Sequence, residues 1–395
     1  MVGREHASRH RASTNLELLF DLTFVVAVAQ AAHALAEHLV EGRVGAGLEG
    51  YFGVFFALWW AWVNFTWFAS AFDTDDVPYR LLTLLQMSGV LVLAAGVPNA
   101  FDGDFTALTV GYVVMRVAMV AQWLRAAASD PVTRRTCLRY AAGIAVVQVG
   151  WVVRLTLPDG LAWPTFVLLA LAEICVPYWA ERPGMTSWHP AHIAERYGLF
   201  TIIVLGEGIS QVGAAIQTSF TAGGVTPRLV VTAVEGLVLL FAMWWIYFAR
   251  ESGDALRERA QLAFFWGYGH YLVFASAAAV AAGIDVAITA LNAGTDVGAE
   301  ERVHLSHLVI ALAVANPVAV YVLALGLMLG ALYGDLGPRV ARAVVVAVAT
   351  VGFAALAVWL PLIVVGALVM LPTLALVVDE ILLADRRARS TAAIS

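Results

Sequence analysis

LSHLVIALAVANPVAVYVLALGLMLGAL, residues 305–332, contains no aspartate, glutamate, lysine or arginine. As a helix rising 1.5 Å per residue it is long enough to cross the roughly 30 Å hydrocarbon core of a bilayer. A helix that is apolar on every side has to be surrounded by protein core or by lipid. The same pattern recurs on both sides of this stretch. Apolar runs bounded by charge, proline or glycine fall near 16–37, 48–70, 80–100, 105–127, 137–157, 162–180, 195–216, 228–249, 263–283, 305–332, 340–358 and 360–378. Only the short segment around Trp359 and Pro361 separates the last two runs, which leaves a single broken hairpin open as an alternative.

Composition agrees. The 395 residues are 61% hydrophobic and 13% charged, whereas soluble domains are about half apolar and about a quarter charged. The expected fold class is therefore an all-α polytopic membrane protein of about twelve transmembrane helices. The net charge of −6 points to no partner, and no basic cluster interleaves with aromatics, so no nucleic acid is expected. Cys137 and Cys175 stand alone, without the spacing of a zinc site or a disulfide framework, and read as ordinary apolar residues. Arg4, Arg9 and Arg11 precede the first apolar run as in a signal peptide. That run, however, carries Glu17 and Asp21 and lacks a clear cleavage site, so it reads as a retained membrane helix.

Every positive residue is an arginine. With the N-terminus inside, the cytoplasmic side receives Arg4, Arg9, Arg11, Arg80, Arg125, Arg134, Arg135, Arg139, Arg182, Arg196, Arg250, Arg257, Arg259, Arg339, Arg342, Arg386, Arg387 and Arg389. The opposite side receives Arg43, Arg154, Arg228 and Arg302, and Arg116 falls inside a span. That asymmetry follows the positive-inside rule and places both termini in the cytoplasm of a multi-pass protein of the cell (cytoplasmic) membrane.

An internal repeat is also legible. LELLFDLTFVV from Leu16 is similar to AERYGLFTIIV from Ala194, pairing Glu17 with Glu195 and Thr23 with Thr201. In the following spans FFALWWAW, ending at Trp62, matches LFAMWWIY, ending at Tyr247. The expected organisation is two pseudo-repeated halves of six helices, 1–180 and 181–380, followed by a short polar tail, 381–395. Even-numbered halves lie in the same orientation about an axis along the membrane normal, an arrangement common in secondary transporters.

Charged side chains cost roughly 3 kcal/mol at mid-bilayer on insertion scales, so each one needs a reason. The candidates on a substrate or ion pathway are Glu17, Asp21, Arg116, Glu173, Glu195, Glu207, Gln211, Glu235 and His270. Glu17 and Asp21, four apart, share a helix face. Glu17 also reads as a first-turn carboxylate favoured by the helix dipole. Arg116 must find an acid; Glu173, in the same half, is a natural partner, but the sequence does not choose among the acids. Glu207 lies between Gly206 and Gly208, one turn before Gln211. It reads either as a carrier of a proton or cation or as a structural partner of Arg116. His270 reads either as a proton relay or as a satisfied interhelical hydrogen bond. The loop FDTDDVPYR brings together Asp73, Asp75, Asp76 and Arg80, either as a helix cap with proline in the first turn or as a cation site. His192 and Glu195, at i, i+3, are weak metal-ligand candidates, since two ligands do not make a site. No metal and no cofactor is expected, and no catalytic residue stands out.

Three of these segments carry a family resemblance. LELLFDLTFVVAVAQ (16–30), FDTDDVPYRLLTLLQMSGVLVLAAGVPNAF (72–101) and HIAERYGLFTIIVLGEGI (192–209) resemble, in order, the hallmark segments of the bacterial low temperature requirement protein A (LtrA) family. Gly208 departs from the serine expected after the glutamate. The resemblance implies an integral membrane protein of a family named for a growth phenotype in the cold. It marks Glu17, Asp21, Asp73, Asp75, Asp76, Arg80, His192, Glu195, Arg196, Gly206 and Glu207 as hallmarks without assigning their chemistry. Three functions compete. The leading one is a proton- or cation-coupled secondary transporter of a small solute or lipid. The second is a membrane-embedded, metal-assisted or metal-free, lipid-active enzyme, for which a convincing nucleophile is missing. The third is a structural or sensory membrane protein. The expected partners are the lipid bilayer, a small solute and a proton or cation, with a homo-oligomer left open.

Overall fold

Thr14 and Glu17 begin the first long helix by capping each other. The Glu17 amide donates to Thr14 Oγ1 at 3.2 Å, and the Thr14 amide donates to Glu17 Oε2 at 2.7 Å. This reciprocal capping box satisfies two amides that the first turn would leave orphaned. From there the computed structural model, which describes residues 2–3, 13–221, 226–293 and 305–392, is helical almost throughout.

Fourteen α-helices follow one another among the described residues. They are α1 (Asn15–Val40), α2 (Val44–Ala71), α3 (Val77–Ala95), α4 (Val97–Phe101), α5 (Thr106–Ser129), α6 (Arg134–Arg154), α7 (Ala162–Ala180), α8 (Pro190–Thr221), α9 (Pro227–Phe248), α10 (Ser252–Glu258), α11 (Ala263–Ala293), α12 (His307–Tyr333), α13 (Leu336–Ala355) and α14 (Leu362–Ala392). Among the described residues, only Val2–Gly3 and Phe72–Asp73 pair, as a minimal antiparallel ladder. Among the described residues twelve helices are long and apolar enough to cross a membrane, and the short α4 and α10 by themselves are not.

The elements start and stop where side chains dictate. Asp76, Thr226 and Ser306 cap α3, α9 and α12, each accepting from the amide three residues on. Pro78 and Pro227 sit in first turns, where a missing N–H costs nothing. Gly334 closes α12 at φ +78°, a conformation that L side chains resist. The expected single run 80–100 is instead broken at Gly96. Its carbonyl begins the short α4, whose Pro98 has no amide to continue the α3 ladder. The alternative of one broken hairpin at the C-terminus is replaced by two separate helices, α13 and α14, joined through a 3₁₀ turn at Leu356–Val358 and Pro361. The α14 helix runs through Ala392 and takes in most of the polar tail, because hydropathy marks where lipid ends rather than where a helix ends.

The chain forms two compact units. One comprises Met1–Ala34 with Leu48–Leu199, the other Leu35–Gly47 with Phe200–Ser395, so α8 contributes its first turns to the first unit and the rest to the second. In the first unit, Phe20 stacks on Phe65 with centroids 3.9 Å apart, and Trp123 stacks on Tyr140 at 4.1 Å. Helices α3 and α5 meet at glycines. A β-carbon on Gly89 would lie 2.8 Å from the Gly111 carbonyl oxygen, so the backbones touch. In the second unit α11 crosses α12 at Gly283, where a β-carbon would lie 2.9 Å from the Val314 amide nitrogen. Packing without a hydrophobic drive relies on such close approaches.

Large apolar residues face outward as well as inward. On α1, Phe20, Phe24 and Val28 are fully buried, while Leu19, Leu22 and Val26 are about half exposed (49%, 56% and 45%). Contiguous exposed aliphatic surface of this kind suits lipid rather than water.

Candidate functional site

The first unit buries two polar clusters. In the first, α1 presents Glu17 and Asp21 one turn apart toward the start of α8, and all the acidic and basic side chains involved are at most 1% exposed. Arg196 Nε donates to Asp21 Oδ2 at 3.0 Å, and its Nη2 donates to Oδ1 at 2.5 Å. This is the two-pronged fit of a guanidinium to a carboxylate. Arg196 Nη1 lies 3.5 Å from Glu17 Oε1, and His192 Nε2 lies 3.3 Å from the same oxygen. From α2, Trp62 Nε1 donates to Asp21 Oδ1 at 2.7 Å. Phe65 lies beneath the guanidinium, 5.9 Å from its carbon.

Arg196 thus corrects the sequence reading, which counted it among arginines flanking a span. It is enclosed by protein, because two acids on α1 hold it there at distances a surface position would not need. Arg339, also counted as a flanking charge, is likewise mostly buried (7% exposed), between Asp335 at 3.2 Å and Glu380 at 2.9 Å. Glu195 takes a different partner from His192. Its Oε1 accepts the Ser13 amide at 3.1 Å, so the two do not converge on one point as metal ligands would. Among the described residues no group of three or more histidine, cysteine, aspartate and glutamate side chains is arranged to hold a metal ion.

The second cluster settles the partner of Arg116. Its Nη2 lies 3.5 Å from Glu173 Oε2 on α7 and also donates to the Tyr112 hydroxyl. That hydroxyl donates to Glu173 Oε1 at 3.1 Å, and Trp60 Nε1 donates to Oε2 at 2.9 Å. The alternative pairing of Arg116 with Glu207 is not formed. The acid that is met is the one in the same helical unit, and both arginine and glutamate are buried (2% and 1% exposed).

Two carboxylates of the second unit, unlike Glu380 beside Arg339, are held without an arginine among the described residues. Glu207 is half-buried on α8, and its polar partner among the described residues is Gln211, whose Nε2 lies 3.4 Å away. Glu235 on α9 has neither an ion pair nor a hydrogen bond among the described residues, and its carboxylate rests against Gly366 of α14. It lines a cavity of about 70 Å³ bounded by α9, α11, α12 and α14. His270 on α11 is fully engaged. Its Nδ1 is 2.7 Å from the Trp266 carbonyl and must carry the proton, so its Nε2 accepts from the Tyr247 hydroxyl at 2.9 Å. This satisfied hydrogen bond between α9 and α11 is one of the two readings the sequence left open for His270.

The aspartate loop resolves into caps and ion pairs. Asp75 takes Arg80 through both oxygens, at 2.8 and 2.6 Å, and Arg80 holds its carboxyl below the ordinary value. Asp76 Oδ1 caps α3 at Tyr79 N, 2.9 Å, while Arg125 Nη2 reaches both of its oxygens at 2.9 and 2.6 Å. The Arg125 bonds, then the Tyr79 amide, lower its pKa. The side chain of Asp73, and Arg4, Arg9, Arg11 and Arg302, lie outside the described residues.

Sequence reasoning did not name Trp60, Trp62, Tyr112 or Tyr247 as site residues, although each supplies the N–H or O–H that a buried acid or imidazole needs. The signal was available in part: an intramembrane carboxylate calls for donors, and tryptophan and tyrosine carry donors on apolar bodies.

Compared with known proteins, the chain matches the sequence model of one family, Bacterial low temperature requirement A protein (LtrA), over residues 12–378. It is similar to a Rhizobium meliloti (strain 1021) protein whose printed name is uncharacterized protein RA0937, at 29% identity over 308 residues, covering 72% of this chain and 71% of the relative. No solved structure matches.

Proposed function

We propose, from the premise that the chain belongs to the bacterial low temperature requirement A family, that it is a proton- or cation-coupled secondary transporter of a small solute or lipid. One observation supports this reading. The arginines deep in the first unit are taken by Asp21, Glu17 and Glu173, whereas Glu207 and Glu235 in the second unit lie within spans without a cationic partner among the described residues. An intramembrane carboxylate with no fixed counter-ion has to take a proton or a mobile cation. That is the chemistry of a coupling site. The first unit, whose Arg116 and Arg196 are matched by its own acids, serves as the rigid frame.

In this reading the protein lies in the cytoplasmic membrane with both termini inside, as the arginine bias argues. Its spans form two halves of six, 1–180 and 181–380, and Glu17, Asp21, Arg116 and Glu173 hold the frame while Glu207, Gln211 and Glu235 mark the ion path. Asp75, Asp76 and Arg80 fasten the loop after α2 on the cytoplasmic side. The test is proton uptake into proteoliposomes under an imposed pH gradient, comparing the native protein with Glu207→Gln at equal insertion. Uptake that falls at least about ten-fold in the variant is the expected result. Equal uptake would take Glu207 off the path.

A further inference from the structure

The cavity of the second unit is apolar in its walls and carries a single carboxyl group at one point. Leu239 from α9, Ile284 from α11, Ile310 and Val314 from α12 and Val365 from α14 line it, and Glu235 and Thr232 supply its polar groups. Thr232 and Glu235, three apart on α9, share a face. Two glycines keep the space open. Gly236 abuts Ile284, where a β-carbon would lie 3.2 Å from Ile284 Cδ1, and at Gly366 a β-carbon would lie 3.0 Å from the Glu235 carboxyl carbon. Glu235 stands eight residues into α9, roughly 12 Å along its axis, well inside the hydrocarbon.

We propose that this cavity binds an alkylammonium, a protonated amine on a short apolar chain, with the ammonium against Glu235 and Thr232 and the chain among the aliphatic walls. The charge decides the class, since a half-buried carboxylate facing aliphatic walls, with no partner among the described residues, complements a cation. The walls decide the kind of cation. Calcium or magnesium needs six or more oxygen ligands, and one carboxylate with one hydroxyl falls short of that set. An alkylammonium needs one anion and an apolar surface for the rest of the molecule, and the cavity has both. The size decides the length. A cavity of about 70 Å³ is about half the engineered cavity that accepts benzene, which limits the buried part to a few heavy atoms. The proposal names a substrate class for the transport reading and rests on that reading only for movement of the ligand. Binding is measured without flux, so a site that binds in a protein that transports nothing refutes transport alone.

The test is protection of Glu235 from a hydrophobic carbodiimide, which modifies protonated carboxyls in apolar surroundings, scored by peptide mass spectrometry on the detergent-solubilised full chain. n-Butylammonium should slow modification of Glu235 at least about five-fold, with n-butanol at the same concentration leaving it unchanged and Glu207 unaffected by either. In Ala287→Phe, which fills the cavity from α11, modification should persist and protection should vanish. Equal protection by butanol, equal protection at Glu207, no protection at all, or a Glu235 that never reacts would each overturn the proposal.

Discussion

Replacing Arg196 or Asp21 tests how the first unit is held together. Removing one member of a buried ion pair costs roughly 3–5 kcal/mol, because the other is left charged in a medium that cannot solvate it. Asp21→Asn belongs at the low end of that range. The asparagine carbonyl still accepts from Trp62, and Arg196 keeps Glu17 at 3.5 Å. Arg196→Met belongs at the high end, since it leaves two carboxylates one helical turn apart with one cation fewer between them. The double variant removes both charges of the pair at once. It should therefore cost about as much as the worse single change, giving a coupling energy of roughly 3 kcal/mol where independent sites would add to within about 0.5 kcal/mol. The assay is equilibrium unfolding by SDS titration in mixed micelles, followed by far-ultraviolet circular dichroism with tryptophan fluorescence in parallel. Strict additivity, or an Asp21→Asn variant as stable as the native protein, would refute the claim that this pair braces α1 against α8.

Two further perturbations follow from the same reasoning. Glu173→Gln leaves Arg116 with neutral acceptors, the Tyr112 hydroxyl and the glutamine carbonyl, so it should destabilise by roughly 3 kcal/mol, against about 1–2 kcal/mol for Tyr112→Phe, both read by the same unfolding assay. Asp76→Ala removes an N-cap and an exposed ion pair with Arg125, for a loss of about 1–2 kcal/mol in all. Because the folded pKa of Asp76 is lowered by Arg125 and then by the Tyr79 amide, its contribution is fully present above the unfolded value near 3.8 and is lost as pH falls through the folded one. The native protein should lose more stability than Asp76→Ala on acidification below about pH 4, and equal losses would show that the cap carries no charge-dependent part.

Local chemistry was legible without the fold. Apolar length announced the twelve spans, the aspartate and proline of DVP announced the start of α3, and the solitary Arg116 announced that an acid must face it. Each is a statement about one segment and its solvent, and hydropathy, capping and desolvation act over a single helix. One error was local too. Residues 80–100 read as one helix because hydropathy does not register the missing amide at Pro98.

Tertiary structure decided every choice among partners. Asp21 and Arg196 are 175 residues apart in sequence, and nothing in either segment distinguishes an arginine that flanks a span from one drawn into a buried pair. Glu173, not Glu207, meets Arg116 because α7 brings it within 3.5 Å. Glu235, one acid among several in the sequence, acquired its meaning from four helices that line its cavity with aliphatic side chains and, among the described residues, offer no cation. Charge and hydropathy are properties of residues and can be read along a chain. Whether a charge is paired depends on a distance of a few ångströms, which exists only once the helices have packed.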